Sequence, residues 1–254
     1  MTTIALTLAY IGSEYHGFAR QNGLVTIQGT LESALALVYK RDIATVGAGR
    51  TDSGVHAQGQ VVSFELSQDE LDMKPLDKLR NSLNALTPSN MMIRAIDEAP
   101  PGFSARFSAV EREYRYRLVA SEVPPIFIAP YVWWLPNYRL DINKMREAAA
   151  YLVGEHDFKS FCVASSAVDK NTVREIKSIH IFGMDHLGEP CLVVQVIGKA
   201  FLHSMVRIIV GSLVDVGNNK QPPSWLGDVL AAKDRQQAGQ TAPAQGLTLW
   251  RVRY

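Results

Sequence analysis

The sequence holds only two cysteines, Cys162 and Cys191, in 254 residues. That scarcity excludes a disulfide framework and a cysteine-rich metal cluster, and it fits a reducing compartment. No apolar run approaches the roughly 20 residues of a membrane span. The first ten residues show no basic region leading into an apolar stretch, so no signal peptide is expected and the protein reads as cytoplasmic. Net charge is almost absent: 26 Lys and Arg against 25 Asp and Glu leave +1. A nucleic-acid partner would therefore be met by local cationic clusters, not by a basic field over the whole molecule. The six histidines show no His-Glu-x-x-His or other metal-ligand spacing. Internal repeats and low-complexity segments are missing too. What remains is ordinary globular composition, 47% hydrophobic and 20% charged, long enough for one large domain or two small ones.

One stretch stands out against this background: Gly47-Ala48-Gly49-Arg50-Thr51-Asp52-Ser53-Gly54-Val55-His56-Ala57. It is not a phosphate loop, because it lacks the Gly-Lys-Ser/Thr ending. Apolar, β-prone residues flank it, Ile43 to Val46 before and Val61 to Phe64 after. Arg50 and Asp52 lie on one side if the link between them is extended. A guanidinium beside a carboxylate favours its charged form. An ionised Asp suits a nucleophile or an electrostatic stabiliser better than a proton donor. The same composition also fits a plain Asp-Ser-Gly turn.

Alternating Ile4, Leu6 and Leu8 predict a strand over Thr3 to Tyr10. Gly12 to Phe18 reads as a loop whose Tyr15, His16 and Phe18 either contact a substrate or cover the sheet edge, the second being slightly favoured. Thr26 predicts an N-cap for a helix to about Lys40, with Ile27, Leu31, Leu35 and Val38 on one face. A strand into the Asp52 loop, a strand from Gln60 to Leu66, a helix from Leu76 to Leu86 and a strand from Met92 to Ile96 follow. This β-α-β-β-α-β order resembles a split βαβ, ferredoxin-like unit. Ala99-Pro100-Pro101-Gly102 predicts a boundary, giving halves 1–103 and 104–254. In the second half a strand over Val110 to Ala120 puts Tyr114, Tyr116 and Leu118 on one side and Glu113, Arg115, Arg117 and Val119 on the other. Asp141 predicts a helix to about Val153. Strands over Val173 to Phe182 and Cys191 to Ile197 predict a hairpin joined by Gly183 to Pro190. A helix over Phe201 to Val216, a short helix from Trp225 to Ala232 and a strand from Leu247 to Val252 complete the chain. The class is α+β: two ferredoxin-like halves forming one extended, mainly antiparallel sheet, with helices on one face and a central active-site cleft.

Five motifs in one order carry a resemblance: Gly49-Arg50-Thr51-Asp52-x-Gly54-Val55-His56-Ala57; Ala105-Arg106-Phe107-Ser108-Ala109 with Tyr114-Arg115-Tyr116; Asp157-Phe158-x-Ser160-Phe161; Phe201-x-x-x-Met205-Val206-Arg207-x-x-Val210-Gly211; and Thr241-Ala242-Pro243-Ala244-x-Gly246-Leu247. Together they resemble the TruA family of tRNA pseudouridine synthases over nearly the whole chain. Ser53, where Ala is more usual, is the visible departure. The resemblance implies isomerisation of uridine to pseudouridine at positions 38, 39 and 40 of the tRNA anticodon arm, with no metal or organic cofactor and with a homodimer as the working form. It implies Asp52 as the catalytic carboxylate. Arg50 and Arg207 are the candidates to hold it ionised, since an Arg fork suits a carboxylate; for Arg207, on an otherwise apolar helix, the competing reading is an Arg that snorkels to solvent. The resemblance implies Tyr114 as the ring that stacks on the target base, and Gly54, His56, Arg106 and Leu247 as substrate-binding positions. Arg20, Arg106, Arg112, Arg115, Arg117, Lys199 and Arg207 are the candidate phosphate contacts. Asp52, Tyr114 and Arg207 are expected to converge in one cleft between the halves.

Two other classes compete. An RNA-binding module would explain the strands, Tyr and Arg, but not a lone Asp in a glycine-rich loop. A carboxylate-pair hydrolase would need a second acid, for which Asp157 is the candidate.

Overall fold

The computed structural model describes residues 1–254. The chain falls into two compact units, Met1–Val110 with Leu249–Tyr254, and Glu111–Thr248. Helices mix with ten strands, most of them antiparallel to their neighbours.

The first unit starts with β1 (Thr2–Tyr10), whose Ile4, Leu6 and Leu8 are wholly buried. Full burial of such a side chain contributes about 1.5–3 kcal/mol. Helix α1 (Ile27–Tyr39) begins where Thr26 accepts from the Gly29 amide and ends at left-handed Lys40. The short strand β2 (Val46–Gly47) and the long strand β3 (His56–Leu66) flank the Asp52 loop. Helices α2 (Gln68–Met73) and α3 (Leu76–Leu86) lead to β4 (Met91–Glu98). The order is β4-β1-β3, with β2 also on β3. This is the strand order of a ferredoxin-like unit.

The expected strand over Ile43 to Val46 shrinks to the two residues of β2. One oxygen of Glu32, on α1, accepts from the Thr45 amide (3.0 Å) and the Thr45 hydroxyl (2.9 Å). That amide is spent on a side chain and is lost to a ladder. The division also differs from the Pro-Gly expectation at 99–102. Residues past it stay tied to the first unit: the Ala105 amide donates to Ser63 Oγ, the Val110 amide to the Arg253 carbonyl, and Tyr254 OH to the Ala105 carbonyl.

In the second unit β5 (Glu111–Ala120) pairs in parallel with β6 (Trp133–Leu135) and antiparallel with β9. Helix α4 (Ile142–Ala150), capped by Asp141, precedes β7 (Gly154–Asp157) and the single turn α5 (Ala164–Ala167). β8 (Val173–His186) and β9 (Glu189–Gly198) form the predicted hairpin, but its turn is only Leu187-Gly188. Both residues have positive φ, 54° and 79°, as a type I′ turn requires. The order is β5-β9-β8-β7. Helix α6 (Met205–Gly217) is buried nearly all round, and α7 (Trp225–Ala232) follows. The α6 helix starts four residues later than expected. Ser204 is left-handed at φ 58°, a conformation that no residue inside a right-handed helix adopts. The last strand, β10 (Leu247–Arg253), begins in the second unit, where Thr248 accepts from Arg117 on β5, and its residues from Leu249 on belong to the first. No helix is long and apolar enough to cross a membrane.

Candidate active site

The Asp52 loop is pinned from both ends. The Ala48 amide donates to the Val61 carbonyl (2.8 Å), extending the pairing of β2 with β3. Gln60, fully buried on β3, donates its side-chain amide to the Gly49 carbonyl at 2.7 Å. Thr51 points inward, its hydroxyl 2.8 Å from Tyr10 OH, and its carbonyl accepts from the Phe18 amide. Asp52 to Val55 forms a tight turn closed by the Val55 amide on the Asp52 carbonyl (3.1 Å). Gly54 has φ 79°, the left-handed value that the third position of a type II turn demands. Ser53 Oγ donates to the Tyr15 carbonyl at 3.1 Å. The segment from Gly12 to Phe18 is thus a cradle for the turn, and Tyr15 and Phe18 are buried beneath it.

Asp52 itself is half-buried at the head of this turn. Arg50, two residues before it, is exposed, and the loop fixes its backbone through Thr51. His56 is 3% exposed, and its Nδ1 accepts from the Gly12 amide at 3.0 Å. It supports the turn from below and does not lie on an open surface.

In the second unit three of the five motifs meet. Tyr116 is fully buried and donates its hydroxyl to the Pro243 carbonyl (2.7 Å), with its ring lying over Gly246. Burial pushes the Tyr116 phenol well above its usual range, and the charge of Arg207 opposes that rise only in part. Arg207, in the first turn of α6, donates Nε to the Ala242 carbonyl (2.8 Å) while its own carbonyl accepts from the Ala242 amide (3.1 Å). A half-buried charge held in this way is oriented, not snorkelling. One turn further on, a Cβ on Gly211 would come within 1.8 Å of the Gln240 carbonyl oxygen. Only glycine lets the 240–243 segment run this close to the helix. Tyr114 keeps 7% of its surface open, and its ring meets Phe201 edge-on at 5.1 Å. Leu247, at the start of β10, is 5% exposed.

The cationic candidates divide sharply. Arg112 and Arg117 are both 8% exposed, and they donate to the Lys199 carbonyl and to Thr248. Arg115 pairs with buried Glu113 at 2.8 Å. Arg112 lies on one side of β5 and Arg115 and Arg117 on the other, and all three are engaged by partners within the protein. A buried charge is tolerated when it is paired and hydrogen-bonded. Arg20 is exposed but paired with Glu32 at 3.2 Å. Arg106 and Lys199 are exposed.

Asp157 is fully engaged as a clamp. It accepts from Thr172 (2.5 Å) and from the Lys159 amide (3.2 Å), and it pairs with Lys233 at 3.1 Å. The Thr172 hydrogen bond, more than Lys233, holds its carboxyl below the usual range. This leaves no second reactive acid for a carboxylate-pair hydrolase. No group of three or more His, Cys, Asp or Glu side chains is arranged to hold a metal ion.

Sequence reasoning missed the supports: Gly12 under His56, Gln60 under Gly49, and the Ala242 and Pro243 carbonyls that hold Arg207 and Tyr116. Each is a contact between residues far apart in sequence, and several use backbone atoms, which carry no sequence signature.

Comparison with known proteins gives the family. Residues 7–108 and 148–254 match a family model described as tRNA pseudouridine synthase. A protein named tRNA pseudouridine synthase A from Brevibacillus brevis is 42% identical over 254 residues, covering 100% of both chains. Its namesake from Bacillus subtilis is 40% identical, covering 98% of this chain and 97% of its own. The namesake from Thermotoga maritima is 38% identical, covering 99% of each. Among solved structures, an archaeal box H/ACA sRNP Nop10–Cbf5 complex aligns with TM-score 0.33 and 10% identity over 83% of this chain and 44% of that one, a likeness too slight to bear on the fold. The class is thus a pseudouridine synthase, an isomerase. More particularly, the chain belongs to the tRNA pseudouridine synthase A (TruA) family.

Proposed function

We propose that this protein isomerises uridine to pseudouridine in the anticodon arm of tRNA, at positions 38, 39 and 40. The reaction breaks the bond from uracil N1 to ribose C1′ and forms one from C5 to C1′. The proton on C5 is lost to water and N1 gains one, so no atom is added or removed. The uridine must leave the stack to be reached, at a cost of a few kcal/mol. Tyr114 receives the base. Asp52 is the carboxylate that attacks or assists, which is covalent or electrostatic catalysis. Arg207, oriented by its bond to Ala242, supplies the positive charge that the reacting carboxylate needs. Arg50 and Arg106, both exposed, meet RNA phosphates. On the same reading the working form is a cytoplasmic homodimer that uses no metal or organic cofactor.

The observation that supports this reading most is the state of Asp52. Its turn is held by the Val55 amide on the Asp52 carbonyl, by the Phe18 amide on the Thr51 carbonyl and by Ser53 Oγ on the Tyr15 carbonyl, yet Asp52 itself is only half-buried at the head of that turn. A plain surface turn needs no such cradle. The test is tritium release from tRNA labelled at C5 of uridine. Release is expected from tRNA with uridine at 38, 39 or 40, and none when those positions hold cytidine. Absence of release from every uridine-bearing tRNA would overturn the reading.

A further inference from the structure

Phe107 is 81% exposed, the same fraction as the chain's first residue. It is no loose side chain on a loose loop. The Ser108 amide donates to the Ser104 carbonyl (2.9 Å), and the Ser104 amide donates to Ser108 Oγ (3.0 Å). Ala105, wholly buried, donates its amide to Ser63 Oγ (3.1 Å) and accepts Tyr254 OH (2.9 Å). Phe103 packs its ring on Tyr254 at 4.7 Å. The turn is locked at both ends and holds the ring out in water, forgoing the burial that a Phe ordinarily gains. The Arg106 guanidinium sits over one face, 5.4 Å from the ring centroid, at cation–π distance.

A flat aromatic face beside a guanidinium fits a nucleobase with its phosphate. Unpaired RNA bases stack on aromatic rings and on Arg planes. The other strongly exposed aromatic, Phe127, stands in a segment whose Ile126 and Ile128 amides grip the Glu189 carboxylate, a negative charge where a nucleotide's phosphate needs a cation. The position of the platform fits the chemistry too. Ser63 holds Ala105 by its side chain, and its backbone pairs with Val46 of β2, which leads straight into the Asp52 loop. One strand, β3, therefore fixes both the platform and the reactive turn.

We infer that Phe107, with Arg106 on its face, is a stacking platform for an unpaired base of the RNA substrate other than the uridine that reacts. This rests on the reading of the protein as a tRNA-modifying enzyme. The test is equilibrium binding of unmodified tRNA by the full-length protein and by Phe107→Ala, Phe107→Leu and Phe107→Trp. Stacking on one base predicts that Ala and Leu weaken binding about tenfold or more, and that Trp restores it. Unchanged affinity of Phe107→Ala would overturn the inference, and so would rescue by Leu as complete as by Trp. If Phe107→Ala also melts at a lower temperature, the Leu and Trp pair, both bulky, still decides. Isomerisation by the unaltered protein is read in parallel. Its failure on all tRNAs removes the enzyme reading, while the affinity series judges the platform on its own.

Discussion

The imidazole of His56 accepts a hydrogen bond at Nδ1 from the Gly12 amide, in a place with 3% exposure. A doubly protonated ring has no lone pair to offer there, so the ring serves as an acceptor and a spacer. His56→Ala would leave the Gly12 amide buried without that acceptor. A loss of about 1–3 kcal/mol is expected, seen as a lower urea midpoint with an unchanged slope. Equal stability of the variant would show that the bond contributes nothing. Asp157 teaches a similar lesson. Its surroundings of Thr172, Lys159 and Lys233 mark a clamp, although its sequence motif resembled a functional one. At this scale the sequence singled out Arg207 and the strand of Tyr114 and Tyr116 without saying what holds them. The Ala242 and Pro243 carbonyls that accept from Arg207 and Tyr116 belong to a distant segment, which no side-chain pattern announces.

At the scale of elements, the Ser67–Glu70 pair shows local chemistry setting a boundary. Ser67 and Glu70 close a capping box at the start of α2, and Arg41 grips the same carboxylate at 2.6 and 2.9 Å. The Arg41 hydrogen bond, foremost, lowers the Glu70 carboxyl from 4.5 to about 2. A carboxyl lowered on folding stabilises the protein above its unfolded value and loses that contribution as pH falls toward the folded one. Glu70→Gln should therefore cost about 1 kcal/mol at neutral pH, because the pair is partly exposed and screened. The gap to the unaltered protein should close as pH drops from 4.5 toward 2. Thermal melts of both proteins at pH 7 and pH 3 check this, and a gap that is constant with pH would refute it. The Ser-x-x-Glu signature of α2 was present in the sequence, yet that helix was not expected. Helix α1 was legible because its Thr26 cap and apolar spacing agree along a single segment, and α3 and α7 were legible without a side-chain cap. Strand β2 was not, since Glu32, some 13 residues away in the chain, takes over the Thr45 amide. The hairpin turn was misplaced because Leu187 adopts a left-handed conformation that its residue type disfavours.

At the scale of the whole molecule, Arg112, Arg115 and Arg117 serve internal bonds, while most of the other Lys and Arg side chains, Arg50, Arg106 and Lys199 among them, are exposed. In a chain of net +1 the carboxylates offset them, so affinity for RNA leans on shape and stacking beside the phosphate contacts. The two units were foreseeable as repeated mixtures of strands and crossover helices. The return of Leu249–Tyr254 to the first unit was not, because a strand's sequence does not say which neighbour it will join. The central claim is that Asp52 drives the isomerisation. The measurement that bears on it most directly is tritium release from C5-labelled tRNA by Asp52→Asn, which keeps the size of the side chain. The expected result is a fall of at least about a thousandfold, the scale of losing a group that meets transition-state charge, with tRNA affinity within a few-fold of the unaltered protein. Release at the unaltered rate would contradict the account.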